Sequence, residues 1–212
     1  MSSNRTLSRL SRQDIALLEP HLEAVDLPVR KTLEVRRKRI DHVYFIEAGF
    51  ASVVANGTSK PGIEVGIIGR EGMTGLAIVL GSDRAQHATY IQAAGKGLRI
   101  SAARLREADE RSNTLHRAML RYAHAFLAQT TTTALANGRS TIEERLARWL
   151  LMAADRVDGN ENAPNARVSH ARHPSSWGYA SGRRLRHGIA EQLIELGGHF
   201  GPAGPAGARP VR

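Results

Sequence analysis

The spacing of apolar positions changes character twice along this chain. Ile15, Leu17, Leu18 and Leu22 follow Ser11 and Asp14 at helical intervals, which predicts a short amphipathic helix capped by Ser11. From Val25 the period falls to two. Val25, Leu27 and Val29, then Leu33 and Val35, alternate with polar neighbours as half-buried strands do. His42-Val-Tyr-Phe-Ile-Glu-Ala-Gly49 reads as a strand ending at a glycine turn, with Phe50 to Val54 as the returning strand and Asn56-Gly57 in the next turn. Ile63, Val65 and Ile67, Tyr90-Ile91, and Leu98 to Ile100 complete the set. Short antiparallel strands at this spacing predict a barrel or sandwich.

After Ser101 the pattern becomes helical. Ala102 to Ala108 is one short helix, and Asn113 to Asn137 runs without Gly or Pro until Gly138, long for a globular helix. Leu115, Met119, Tyr122 and Phe126, and more weakly Thr130 and Thr133, recur every three or four residues along it. So narrow a seam suits a contact between two copies of the chain, making these six residues the expected dimer interface. Packing of the same seam on the chain's own barrel is the competing reading. Ser140-Thr-Ile-Glu143 is the expected capping box of a further helix whose buried face is Ile142, Leu146, Trp149, Leu150 and Ala153.

Beyond Gly159 this organisation ends. Arg167 to Gly188 contains almost no aliphatic residue, Ile189 to Leu196 offers two turns of helix at most, and Gly201 to Pro210 is low-complexity. Residues 162–212 therefore read as a disordered tail.

Composition narrows the chemistry. The chain has no cysteine, which removes disulfides, thiolate nucleophiles and cysteine-ligated metal centres. Nine histidines remain, none in an H-x-x-x-H pair, so neither a metal nor a cofactor is expected. Glu71 and His87 are the candidate acid–base groups, but no nucleophile or paired carboxylates accompany them, and an enzyme is disfavoured. No apolar run approaches membrane-spanning length and no secretory signal is visible, so a cytoplasmic protein is expected. The formal charge of +10 suggests a polyanionic partner. Residues 162–212 carry half of that excess, as seven arginines against Glu191 and Glu195.

Three strings carry a resemblance: Ile40-Asp-His-Val-Tyr-Phe-Ile-Glu-Ala-Gly49, Val65-Gly-Ile-Ile-Gly-Arg-Glu-Gly-Met-Thr-Gly75, and Ser140-Thr-Ile-Glu-Glu-Arg-Leu-Ala-Arg-Trp-Leu-Leu-Met152. With the order barrel, long helix, capped helix, residues 5–161 resemble bacterial Crp/Fnr-type transcription regulators, especially those of alphaproteobacteria. The resemblance implies an α+β fold. Residues 1–112 would form a cyclic-nucleotide-binding-like sensor, a double-stranded β-helix or jelly-roll barrel. Residues 113–138 would be the dimerisation helix and 139–161 the first helix of the DNA-binding domain. It also implies a homodimer acting on DNA under an effector that the sequence does not identify.

In cyclic-nucleotide-binding relatives the glycine string cradles the cyclic phosphate. That places Gly69, Glu71, Gly72 and Met73 as candidate ligand-binding residues, with Glu71 on the ribose-binding position. The phosphate-pairing arginine of the family has no match. His87 stands near its place and Arg84 is displaced, and a histidine is a poor substitute for a bidentate guanidinium. Cyclic AMP is therefore not the favoured ligand, and glycines serving only tight turns are the simpler account.

The winged helix-turn-helix that follows in such regulators is absent from residues 162–212, so no DNA-binding residue is assignable. Shifting the codons from Asn162 by one base permits MPLTHEFL and, opposite Ser176 to Arg184, LGVTRPGV, strings similar to those the family carries there. A frameshift near codons 159–162 accounts for both. The expectation is a chain that keeps the sensor and dimerisation half and loses specific DNA binding. The alternative is a stand-alone ligand-binding module with a flexible basic arm.

Overall fold

The computed structural model describes residues 2–55 and 62–157. The Asn56-Gly57 turn and the whole of 162–212, with its expected disorder, lie outside them. Two short helices, α1 (Arg5–Ser8) and α2 (Arg12–Leu18), open the chain, and a single 3₁₀ turn, Glu19–His21, leads into the strands. Ser11 caps α2 as its sequence requires, its hydroxyl accepting from the Asp14 amide at 3.1 Å. Helix α1 was not foreshadowed, because four residues carry no period.

Seven strands follow: β1 (Glu23–Leu27), β2 (Thr32–Glu34), β3 (His42–Ile46), β4 (Phe50–Ala55), β5 (Ile63–Ile68), β6 (Ala88–Ala93) and β7 (Gly95–Ser101). They form two antiparallel sheets, ordered β1-β7-β3 and β2-β6-β4-β5. Between them lies an apolar layer of Leu27, Tyr44, Ile46, Ala51, Val53, Ile68 and Ile91. Strand β3 is buried on both faces, so it reads as the continuous apolar run Val43-Tyr-Phe-Ile46 rather than as an alternation. Its other face, Val43 and Phe45, joins Leu7, Leu18, Leu105, Leu115 and Met119 in a second cluster beneath the helices.

Helix α3 (Leu76–Val79) interrupts the strands, and α4 (Ala102–Arg111), α5 (Asn113–Arg139) and α6 (Ile142–Val157) are the last elements among the described residues. The long helix runs through Gly138 for one residue more than its sequence suggests. The Ser140 amide still donates to the Ala136 carbonyl at 2.9 Å, and Ser140 itself is extended. The capping box lies one residue later than expected. The Thr141 hydroxyl accepts from the Glu144 amide at 3.3 Å, and the Glu144 carboxylate accepts from the Thr141 amide at 2.9 Å. None of the described helices is long and apolar enough to cross a membrane.

Candidate functional site

The residues between β5 and α3 make a tight turn on which α5 and α6 rest. Glycine fits it for steric reasons. A Cβ on Gly72 would overlap the Tyr122 ring of α5, one on Gly69 would press into the Arg156 side chain of α6, and, within β5 just before the turn, one on Gly66 would crowd Phe126. Gly75 takes φ +76 at the entry to α3. The glycine repeat is thus a seat for α5 and α6 side chains, more than a set of tight turns.

Met73 is fully buried, and its carbonyl accepts from the Tyr122 hydroxyl at 3.0 Å. Burial, with the nearby Glu71 and Glu34 charges, pushes that phenol well above its ordinary range. Glu71 accepts through Oε1 from the Gly69 amide at 3.1 Å and from Arg156 Nε at 2.8 Å, and Arg156 completes an ion pair to the same oxygen. Arg156 is itself held by the Met152 carbonyl at 2.7 Å and is largely buried. Gly69, Glu71, Gly72 and Met73 therefore share one turn, but Gly69, Gly72 and Met73 are buried in it, and only Glu71 is partly exposed. His87 is exposed on the loop before β6 and makes no hydrogen bond with them.

Two further acids face the same region. Glu64 accepts from the Ser52 hydroxyl and, at 2.7 Å, from Trp149 Nε1 of α6. Burial pushes its carboxyl up to about 7, against the opposing effects of those two donors and of Arg156. Glu34 accepts from the Thr89 hydroxyl and, at 2.9 Å, from the Gly75 amide; burial raises it too. Trp149 also stands edge-on to Phe50 at 6.3 Å between ring centres, over an apolar patch of Phe50, Ile67, Ala93 and Ala153.

Helix α6 thus covers this face with an indole and a guanidinium, each on its own carboxylate. Sequence reasoning placed Trp149 on the buried face of α6 but missed Glu64 and Arg156. No local signal marks either pair, since each joins residues 85 apart in sequence.

The predicted seam of α5 faces inward. Leu115 and Met119 are fully buried, Tyr122 and Phe126 pack on the barrel, and Thr133 accepts from Arg148 of α6 at 3.5 Å. Thr130 is half-buried and bonds back to the Leu127 carbonyl at 2.9 Å. Leu115 and Met119 are therefore not surface residues that a second copy could reach. The side of α5 left open carries Leu120, Leu127 and Leu135, exposed by 38%, 60% and 57%. Gln129 turns inward as well, its carbonyl accepting at 2.8 Å from the Ile67 amide of the edge strand β5. Among the described residues no cluster of His, Asp and Glu could hold a metal ion.

Neither a family model nor a curated protein matches the sequence. Solved structures do match the fold. The c-di-GMP-responsive global regulator CLP of Xanthomonas campestris aligns over 88% of this chain and 93% of its own, with TM-score 0.60 and 16% identity. A structure described as a Crp/Fnr-family transcriptional regulator from Eubacterium rectale aligns over 91% and 86%, with TM-score 0.63 and 12% identity. One described as a cyclic-nucleotide-binding protein from Geobacter metallireducens aligns over 60% and 92%, with TM-score 0.50 and 13% identity. The chain has the α+β fold of Crp/Fnr-type proteins, with a cyclic-nucleotide-binding-like barrel.

Proposed function

We propose that this chain is by descent a Crp/Fnr-type, DNA-binding transcription regulator, not an enzyme, acting as a homodimer in the cytoplasm. Its sensor and long helix are in place and its specific DNA binding is impaired. The observation that carries the reading is the path from the barrel turn at Gly69–Met73 through Tyr122 to α5, and through Arg156 to α6. A change at the turn has a contiguous route to the segment that follows the barrel, which a sensor coupled to a reader requires. The fold neighbours agree with it, two being described as regulators.

The dimer contact in this reading is the outward stripe of Leu120, Leu127 and Leu135 rather than the inward seam. Loss of operator binding rests on the sequence of 162–212, outside the described residues. No effector is assigned. Arg156 and Tyr122 cover the turn at Gly69 and Gly72, and Arg156 is committed to Glu71, so a cyclic nucleotide finds the turn occupied while α6 is seated.

Sedimentation together with gel shifts on a randomised duplex pool tests the proposal. The chain should be a dimer that selects no operator at physiological salt, and a gene repaired near codon 160 should select a palindromic one. A monomer, or salt-resistant sequence-specific binding by this chain, would contradict it.

A further inference from the structure

Helix α6 attaches to the barrel through two polar contacts and one apolar patch. Trp149 donates to Glu64 at 2.7 Å and Arg156 to Glu71 at 2.8 Å. Between them, Ala153 closes over Phe50, Ile67 and Ala93. The outer side of the helix stays in water, with Leu151 68% exposed. Leu146, Trp149 and Met152 add to the inner face, and Arg148 reaches Thr133 of α5, but both sheets are paired strand to strand without α6, so it can separate from the barrel without unfolding it.

We propose that α6 is a releasable latch, an internal occupant of the barrel face whose seating on Glu64 and Glu71 can be undone while the barrel stays folded. The proposal rests on these contacts and on the burial of Glu64 beneath them, and stands whether or not the regulator reading does.

Seating is coupled to a proton. The groups facing the Glu64 carboxyl are the Ser52 hydroxyl from β4, Tyr90 from β6, and Trp149 and Arg156 from α6. Tyr90 is neutral near pH 7 and is itself raised by burial and by the Glu64 charge. Arg156 favours the ionised acid, but burial outweighs it and sets the carboxyl at about 7. A protonated Glu64 still accepts from Trp149 through one oxygen and can donate from the other to Ser52.

Once α6 lifts, that carboxyl is hydrated and moves back toward the ordinary value of about 4.3. The seated state therefore binds the extra proton, so seating is firmest at low pH and weakens as pH rises through about 7. If most of the shift disappears on release, the opening constant should rise about tenfold between roughly pH 6 and 8.

Amide hydrogen exchange on the full chain, read by peptide and corrected for intrinsic rates, measures that opening directly. Residues 142–157 should lose about tenfold protection across that interval while β3 and β4 keep theirs. Glu64→Gln, neutral throughout, should flatten the slope. Arg156→Gln should lower α6 protection at every pH and leave the slope in place. The proposal is overturned if α6 exchanges only together with β4, if its protection does not change with pH, or if the slope survives in E64Q. Should E64Q not fold, the parent's slope and the R156Q offset still decide the matter.

Discussion

The Tyr122 hydroxyl reaches the Met73 carbonyl at 3.0 Å by passing over Gly72, where a methyl group would overlap the ring. Close approach and hydrogen bond are one feature, and two substitutions separate its parts. Tyr122→Phe removes one buried hydrogen bond and should cost about 1 kcal/mol. Gly72→Ala forces the ring and helix away and should cost about 2 kcal/mol or more. Urea denaturation of both variants checks the order. A G72A chain as stable as the parent would mean that α5 does not rest on this turn.

Asp14 joins the start of the chain to the start of α5. It is buried and accepts from the hydroxyls of Ser11 at 2.8 Å, Ser112, and Thr114 at 2.8 Å. Burial alone would raise its carboxyl, but the three hydroxyls outweigh that and hold it below its ordinary value. As pH falls, the unfolded chain therefore binds the proton first. The stabilisation is present above about pH 4 and disappears as pH falls through the folded-state value. Asp14→Asn should lower stability at neutral pH and make the acid-side decline shallower, as urea midpoints between roughly pH 3 and 7 would show.

The two faces of α5 should respond oppositely to substitution. Leu115→Ala opens a cavity in the core and should cost about 2–5 kcal/mol with no direct effect on association. Leu127→Glu, on the open face, should leave the melting temperature of the monomeric unit unchanged and shift the proposed dimer toward monomer. Analytical ultracentrifugation distinguishes them, and an L127E chain that still dimerises like the parent would remove this stripe from the interface.

Cyclic AMP should not stabilise the chain. A ligand held at about a hundred times its dissociation constant adds about 2.7 kcal/mol to stability, an easily measured rise in melting temperature. With Glu71 committed to Arg156, and Glu64 and Glu34 close by, no such rise is expected at millimolar nucleotide. A clear rise would show that the phosphate finds a cation the seated α6 does not offer.

The strands and long helices were legible because burial on one face imposes a period. The helix α5 seam was legible as a pattern, whereas its direction was not. Leu115, Met119, Tyr122 and Phe126 have the spacing a partner helix would select, and a barrel wall selects the same spacing. Ser140 and Thr141 are both good caps with a glutamate three residues on, so the choice between them depended on where α5 stops. The Glu64–Trp149 and Glu71–Arg156 pairs each span 85 residues, and no local rule encodes a contact at that distance.

Asn4 shows what such long-range closure demands of the newly made chain. Its side chain is fully enclosed, donating to the carbonyls of Ile46 and Gly72, both at 2.8 Å, while its oxygen caps the amides of Thr6 and Leu7. The Arg5 amide and Thr6 hydroxyl add bonds to the carbonyls of Arg70 and Glu71. All four partner residues leave the ribosome well after Asn4 does. The docking of residues 2–8 therefore waits, with their polar groups in water, until β5 and the turn after it have been synthesised.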